Sequence, residues 1–453
     1  MVAVILAAGL GTRMKSRLPK VLHRVGGRPM LDWPIAVARA AGAGRIVVVV
    51  GHGAEAVVAH LRDTHPDVQT ATQNAPRGSG DAARAALPRI GRGAGPVLIL
   101  CGDVPLIQSA TISRLRAARR SAPLAIVTCR PADPLGYGRI VREAGRPVRI
   151  VEEKDASAAE RRIAEVNAGV YLCDGPWLGR AIRRLRPSRG GEVYLTDLVA
   201  IAARTSRVAT VEADAREMIG INDRADLARA EAVLRARTIE ALQRSGVTVC
   251  DPATTFVDPT VRIGQDTEIH PGVQIRGATV IGRGCTIESG CVITDSRIED
   301  EAQILPHTVV RESRVGRGAR VGPFAHLRPG TDLGNAVHVG NFVETKKARL
   351  GAVAKANHLA YLGDAEIGAH SNIGAGTITC NYDGFVKHVT VLEEEVFVGS
   401  DTQFVAPVRV GRGAYIGAGS TITREVPAGA LALSRAPQQI IEGWAARRLR
   451  RRR

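Results

Sequence analysis

The stretch Val257-Asp-Pro-Thr-Val-Arg-Ile263-Gly-Gln-Asp-Thr-Glu-Ile269-His-Pro-Gly-Val-Gln-Ile275 carries an aliphatic residue at every sixth position. The register runs on through Ile281, Ile287 and Ile293. It resumes after slips at Val315, Val321, Leu327, Leu333 and Val339, and returns at Val398, Phe404, Val410, Ile416 and Ile422. Glycine often follows the aliphatic, as in Ile263-Gly264, Val315-Gly316, Val339-Gly340, Ile373-Gly374 and Val410-Gly411. A helix cannot hold a six-residue period on one face, and a flat strand shows period two. Six fits a three-sided prism of short parallel strands, with one aliphatic pointing inward per side and glycine expected to turn each corner. Coils of about 18 residues stacked roughly 4.8 Å apart give roughly nine coils, about 45 Å in length. A β-sandwich with coincidental glycines would not keep the register so long. A β-helix coil is self-similar, so chemistry is expected where the repeat breaks. The largest breaks are Asn341–Ala360 and Thr379–Val396.

The whole chain has 453 residues, enough for two or three domains. Its 49 glycines and 45% hydrophobic content suit a globular α/β part joined to a glycine-rich solenoid. Net charge is +18, and six arginines crowd the last seven residues, Arg447–Arg453. Such a run reads as a solvated tail. Aromatics make up 3% and no nucleic-acid-binding motif accompanies the tail, which argues against specific nucleic-acid function. The remaining basic excess suits phosphorylated small substrates. Seven cysteines lie scattered with no Cys-x-x-Cys and no Cys/His cluster, so a zinc site is not expected and a reducing, cytoplasmic compartment is. Val2–Ala8 is apolar but short and runs into a glycine loop, so it reads as a strand rather than a signal peptide, and no stretch reaches membrane-span length.

Before the repeat, strands and helices alternate. Strands are expected at Val2–Ala8, Arg45–Gly51, Val68–Gln73 and Pro96–Cys101. Helices are expected at Met30–Gly42, Glu55–Arg62 and Asp81–Leu87, and Tyr137–Glu153 reads as a hairpin. This is the rhythm of a doubly wound, mostly parallel sheet whose ligands sit at the carboxyl ends of the strands. Asn222–Leu242 reads as one long helix, and the sixes begin after Ser245–Pro252. The domains expected are therefore 1–222, a linker helix over 223–246, a β-helix over 247–436 and a basic tail over 437–453.

Five motifs are candidates for chemistry. The loop Leu6-Ala-Ala-Gly9-Leu-Gly11-Thr-Arg13-Met, followed by Leu18-Pro-Lys20, lets backbone N–H groups approach phosphate oxygens, with fixed charge from Arg13 and Lys20. Its spacing is neither a dinucleotide fingerprint nor a Walker loop. Asp103 in Gly102-Asp-Val-Pro ends a strand, where a carboxylate can hold Mg²⁺ or merely cap a turn. Asn222 reads by itself as the cap of the long helix. Gln73, Gly78 and Ser79 form a turn that could bind a base or simply open a helix. His358, in Ala356-Asn-His-Leu-Ala-Tyr361, lies in one of the breaks and by itself reads as a structural loop histidine or as a base titrating near neutrality.

Taken whole, the chain resembles the bacterial bifunctional N-acetylglucosamine-1-phosphate uridyltransferase/glucosamine-1-phosphate acetyltransferases, from Val2 to about Trp444. The markers are Leu6–Met14, Tyr137-Gly-Arg-Ile140, Ile150-Val-Glu-Glu-Lys-Asp155 and Asn167-Ala-Gly169, then Gly322-Pro-Phe-Ala-His-Leu-Arg328, Gly340-Asn-Phe-Val-Glu344, Lys346-Lys347 and Asn372-Ile-Gly-Ala-Gly-Thr-Ile-Thr-Cys-Asn-Tyr-Asp-Gly384. The resemblance implies a left-handed β-helix, three of which pack into a homotrimer. It implies acetylation of glucosamine 1-phosphate by acetyl-CoA, then uridylylation from UTP with Mg²⁺, supplying cell-wall precursors. By residue, it implies that Leu6, Gly9, Gly11, Lys20, Gln73, Gly78 and Ser79 bind the nucleotide. Gly138, Glu152 and Asn167 would bind the N-acetylated sugar, and Asp103 and Asn222 the metal. Arg13 and Lys20 would neutralise phosphate charge. In the second half His358 would be the base, with Glu344 orienting it or meeting the amine. Arg328, Lys346, Tyr361 and Asn372 would bind glucosamine 1-phosphate. Ala375, Asn381, Tyr382, Ser400, Ala418 and Arg435 would bind acetyl-CoA. The chain departs from the family at Cys101, where Tyr is usual, and at Ser79 and Asp81, where Thr and His are common. The alternative activity is a single nucleotidyltransferase whose β-helix is only a scaffold. A scaffold has no need of His358, Lys346 or the Asn381-Tyr382 loop.

Overall fold

The computed structural model describes residues 1–450 apart from 92, 121 and 189, with the side chains of 449 and 450 also left aside. The end of the arginine tail, 451–453, lies outside the described residues. The chain divides into two compact units, Met1–Leu234 and Arg235–Arg453. The division falls inside the helix Arg224–Arg244, ahead of the Ser245–Pro252 boundary suggested by composition. Ala230 and Leu234 of that helix pack with Val25, Met30, Leu106 and Ile221 of the first unit. Ile239 and Leu242 pack on the β-helix core of the second.

In the first unit the strands lie in the spatial order Val208–Glu212, Leu124–Cys129, Val166–Cys173, Val97–Cys101, Val2–Ala7, Arg45–Val50, Gln69–Thr72. All pairings along this path are parallel except those of Val166–Cys173, which runs antiparallel to both of its neighbours. The strands read as near-continuous aliphatic runs because both faces are covered, and Ala3, Val4 and Ile5 are fully buried. Val2–Ala7 pairs with Arg45–Val50 on one side and Val97–Cys101 on the other. The strand order reverses there, so the loop leaving Ala7 opens into the crevice where such sheets bind ligands. Arg139–Glu143 and Arg146–Val151 form the expected hairpin.

The second unit is a parallel β-helix of 26 strands. Ile275 pairs with Ile293, one coil of 18 residues on. The register slips read in the sequence are coils one residue shorter: Ile281 pairs with Ile298, and Ile304 with Val321. Ile275, Ile287, Ile293, Ile304, Val321 and Leu333 are fully buried along the axis. Each such side chain contributes about 1.5–3 kcal/mol by leaving water, and three per coil make the prism rigid. No helix among the described residues is long and apolar enough to cross a membrane.

Two expectations need correction. The glycines after the aliphatics do not turn corners through positive φ. Gly316 is confined because a Cβ would stand 2.5 Å from the Gly334 backbone, and at Gly340 it would stand 1.8 Å from the Asn357 carbonyl oxygen. They are glycines because the next coil's backbone lies against them. The left-handed corner positions come elsewhere and accept many side chains: Asp266 (φ 61°), Glu301 (φ 61°), His370 (φ 60°) and Asp401 (φ 56°). Asn341–Ala360 is likewise no break in the coil. It runs from one 13-residue strand, His338–Leu350, through a turn at 351–354 into another, Lys355–Ile367, with the two strands in continuous register. Only Thr379–Val396 holds an insertion, a loop between Cys380 and Thr390 that widens the spacing of Cys380 and Val405 to 25 residues.

Candidate active sites, one in each unit

In the first unit the loop after Ala7 tightens into a short 3-10 turn at Thr12–Met14. Gly11 has φ 62°, and a Cβ there would lie 2.8 Å from Lys20 Cβ, so only glycine lets the two ends of the loop close. Lys20 Nζ donates to Asp103 Oδ2 at 2.5 Å, with side chains 12% and 28% exposed. Arg13 donates to Asn222 Oδ1 at 2.9 Å. The Ile221 amide donates to the Asp103 carbonyl at 2.9 Å, which brings the segment before Asn222 to the end of the Val97–Cys101 strand. Asn222 is not the helix cap that its sequence position suggests. Asp223 holds that place, its carboxylate accepting from the Ala225 and Asp226 amides at 2.9 Å each. Asn222 is thereby left with its amide oxygen toward Arg13. Asp103 and Asn222 present hard oxygen donors, each already facing a cation, and that is a donor set suited to Mg²⁺.

Gln73 is buried and donates to the Gly78 carbonyl and to Asp81, both at 3.1 Å. Asp81, which stands where His is common, thus fixes the Gln73 amide. A Cβ at Gly78 (φ 98°) would stand 2.6 Å from the Val193 carbonyl oxygen, and Ser79 Oγ accepts from the Leu195 amide at 3.1 Å. The turn opens the helix Ser79–Ala85 and is clamped by the Val193–Leu195 segment. The three proposed sugar contacts also converge. The Asn167 amide donates to the Gly138 carbonyl at 2.8 Å, and a Cβ at Gly138 would lie 3.3 Å from Glu152 Oε2. Asn167 Nδ2 donates to the Tyr171 hydroxyl at 2.8 Å, and Thr196 donates to Glu152 at 2.8 Å. Burial, more than any neighbour, raises the Glu152 pKa. The Leu6 carbonyl accepts from the Gly102 amide at 2.9 Å, while a Cβ at Gly9 would meet nothing within 4 Å. Cys101 donates to the Gly169 carbonyl at 3.4 Å, and burial pushes its thiol up to about 12.

The second constellation lies on successive coils. Asn341 and His358 are register partners, and His358 Nδ1 lies 3.3 Å from Asn341 Oδ1. Glu344, expected to orient the imidazole or meet the amine, accepts from Arg328 at 2.7 Å, while the His358 imidazole is paired with Asn341; Glu344 is in register with Tyr361. Lys346 lies beside Lys387 of the inserted loop, and that second ammonium lowers its pKa. Asn381 donates to Asp364, and the Tyr382 hydroxyl donates to the Gly384 carbonyl at 2.6 Å, folding the loop back on itself. Asn372 lies in register between Lys355 and Phe397. Ala375, Ser400 and Ala418 stack in one column. The Asp401 amide donates to the Ala375 carbonyl at 2.7 Å, the Gly419 amide to Ser400 at 2.8 Å and Arg435 to Ala418 at 2.9 Å. Asn341 and Lys387 escaped the sequence reading. The signal for Asn341 was the 17-residue coil that separates it from His358.

Comparison with known proteins agrees with this division. Residues 3–169 match the MobA-like NTP transferase domain, 255–352 the GMPPB C-terminal domain and 390–424 the bacterial transferase hexapeptide (six repeats). A nucleotidyltransferase domain is thus followed by a left-handed β-helix of the hexapeptide acyltransferase class. The bifunctional protein GlmU of Pelobacter propionicus is 50% identical over 98% of this chain and 97% of its own length. That of Anaeromyxobacter sp. (strain Fw109-5) is 52% identical over 98% and 92%, and that of Geobacter sulfurreducens 48% over 98% and 98%. The chain belongs to the GlmU family of bifunctional uridyltransferases/acetyltransferases.

Proposed function

We propose that the chain makes UDP-N-acetylglucosamine in two steps, acetylating glucosamine 1-phosphate in the second unit and uridylylating the product in the first. The observation that carries the reading is the set His358–Asn341, Arg328–Glu344 and Lys346 on adjoining coils, none of which a scaffold requires. A carboxamide oxygen can only accept, so His358 carries its proton on Nδ1 and keeps the Nε2 lone pair free. Nε2 takes a proton from the sugar ammonium. The amine then attacks the thioester carbonyl, and coenzyme A leaves as thiol. Arg328 and Lys346 hold the sugar phosphate, with Tyr361 and Asn372 along the sugar. Acetyl-CoA lies along the Ala375–Ser400–Ala418 column, where small residues leave the backbone accessible, toward Arg435 and the Asn381-Tyr382 loop.

In the first unit Gln73, Gly78 and Ser79 hold the uracil, and the Leu6–Gly11 backbone meets the phosphates. Gly138, Glu152 and Asn167 bind the acetamido sugar. Its phosphate oxygen attacks the α-phosphorus of UTP, a new P–O bond forms and pyrophosphate leaves. Arg13 and Lys20 spread the developing charge. Asp103 and Asn222 would hold Mg²⁺, which neutralises phosphate charge when bound. The β-helices assemble as a homotrimer. In support, His358 is exposed, and near it stands a ladder of exposed side chains in which His307, Phe324 and Phe342 stack at centroid spacings of 5.1 and 5.7 Å. Supplying glucosamine 1-phosphate, acetyl-CoA, UTP and Mg²⁺ while following thiol and pyrophosphate separately tests the scheme. Thiol release should precede pyrophosphate release. Pyrophosphate only from added N-acetylglucosamine 1-phosphate, with no thiol, would overturn the acetyl-transfer half.

A further inference from the structure

Away from both constellations, the first unit gathers two imidazoles around one carboxylate. Asp32 lies in the first turn of the helix Asp32–Ala40. His60 and Thr64 lie toward the end of the helix Ala54–Thr64, and His65 is the residue that leaves it, at φ −139°. On a continued helix, residues five apart would diverge. The departure at His65 turns its ring back, so that the two rings meet edge to face with centroids 6.0 Å apart. His60 Nε2 stands 2.7 Å and His65 Nε2 3.3 Å from the same oxygen, Asp32 Oδ1, with the three side chains between 11% and 17% exposed. His65 Nε2 is buried yet makes no hydrogen bond: it is near Asp32 but out of line with it. Thr64 Oγ1 lies 3.4 Å from His60 Nε2.

We infer that Asp32, His60 and His65 form a binding site for one transition-metal dication of the Zn²⁺ class, separate from the Asp103/Asn222 pair. One donor atom from each residue lies within 4.8 Å of the others. Bonds of about 2.0–2.1 Å in a tetrahedron put donors about 3.3 Å apart, so small side-chain rotations suffice. Imidazole nitrogen with one carboxylate selects Zn²⁺, Co²⁺ or Ni²⁺ over Mg²⁺, which takes oxygen. Arg39 opposes binding. Its Nη1 lies 3.2 Å from His65 Nδ1 while Nη2 pairs with Asp67 at 2.5 Å. A guanidinium only donates, so Nδ1 accepts and the His65 proton sits on Nε2. Metal capture moves that proton to Nδ1 and releases Arg39 to Asp67. The bound ion pins together two helices that flank the phosphate loop. Leu31, just before Asp32, donates its amide to the Val21 carbonyl, and a Cβ at Gly53 would meet Pro19. Loading should therefore raise thermal stability.

The test is a Zn²⁺ titration of the metal-stripped full chain in excess Mg²⁺, followed by calorimetry and melting, and by visible absorption with Co²⁺ in place of Zn²⁺. One equivalent should bind and raise the melting temperature. His65→Gln and His60→Ala should each weaken it by at least about tenfold, and Arg39→Ala should tighten it. The exposed Cys250 and Glu268 also cluster with the half-buried His270, so Cys250→Ser should leave the equivalent in place. An equivalent that survives His60→Ala/His65→Gln in a variant with unchanged circular dichroism, or that disappears with Cys250→Ser, would overturn the assignment, as would the absence of binding to the wild-type chain.

Discussion

The two units hold their charged groups differently. In the first, the half-buried Lys20 is paired with Asp103 and the exposed Arg13 with the Asn222 amide, their positions set by strand ends and a clamped glycine loop. In the second, Lys346 is pressed against Lys387, and His358 stands exposed on a regular coil beside Asn341. The first arrangement is balanced, each cation facing an oxygen of its own chain. The second carries a local excess of positive charge, which favours an anionic ligand. A sheet crevice thus builds a site by convergence of distant segments, whereas a solenoid builds one by placing single residues in register on a frame that is already rigid.

Separating the two activities is the sharpest way to break that comparison. His358→Ala should lower thiol release by about 10²- to 10⁴-fold, the range of a lost general base, and leave pyrophosphate release intact. Lys20→Ala should do the reverse, lowering pyrophosphate release by about 10²- to 10³-fold with thiol release unchanged. Loss of both activities in either variant would mean that the sites are not independent. The frame itself can be tested next. At Gly340 a Cβ would stand 1.8 Å from a backbone oxygen, whereas at Gly318 (φ 63°) nothing lies within 4 Å. Gly340→Ala must push a neighbouring coil and should cost about 3 kcal/mol or more, while Gly318→Ala pays only the left-handed backbone term of about 1–2 kcal/mol. Equal unfolding midpoints in denaturant would refute the division of glycines into contact and corner kinds. Asn341→Ala should be milder, about tenfold in acetyl-transfer kcat with KM for glucosamine 1-phosphate held, together with a changed pH profile. A simple loss of stability would leave that profile unmoved.

The β-helix was legible because six-residue periodicity is a property of one short window, and burial of Ile275, Ile287 and Ile293 follows from it directly. The role of the glycines was not, since nothing in Ile263-Gly264 says that the Gly282 backbone will lie 2.6 Å from a Cβ there. That fact belongs to the stacking of coils. Coil length explains the other omissions. Counting in eighteens hides Asn341 from His358, and the 17-residue coil reveals them as partners. The same geometry gave Glu344 to Arg328 rather than to the imidazole. In the first unit, motif strings located Lys20, Asp103 and Asn222, but which residue capped the long helix depended on side-chain reach, and Asp223 took the place that Asn222 seemed to hold. The His60/His65 cluster left no motif, because its carboxylate comes from a different helix.

The smallest expected effect tests whether convergence stores strain that a solenoid does not. Glu152 is buried and accepts from Thr196, and burial raises its pKa. A carboxyl with a raised folded pKa binds its proton more readily folded than unfolded. Its favourable contribution is full below the unfolded pKa and is lost as pH rises through the folded value. At neutral pH the wild-type chain therefore carries a desolvated charge that Glu152→Gln removes, while the amide oxygen still accepts from Thr196. The variant should melt a few degrees higher at pH 7, with the gap closing on acidification into the carboxylate range. It should also lose affinity for N-acetylglucosamine 1-phosphate, the usual exchange of stability for function. His358→Ala, by contrast, removes an exposed ring and should leave the melting temperature where it was. A Glu152→Gln variant with wild-type melting at every pH would show that this carboxylate is well solvated, and the contrast between a strained crevice and an unstrained coil would fall with it.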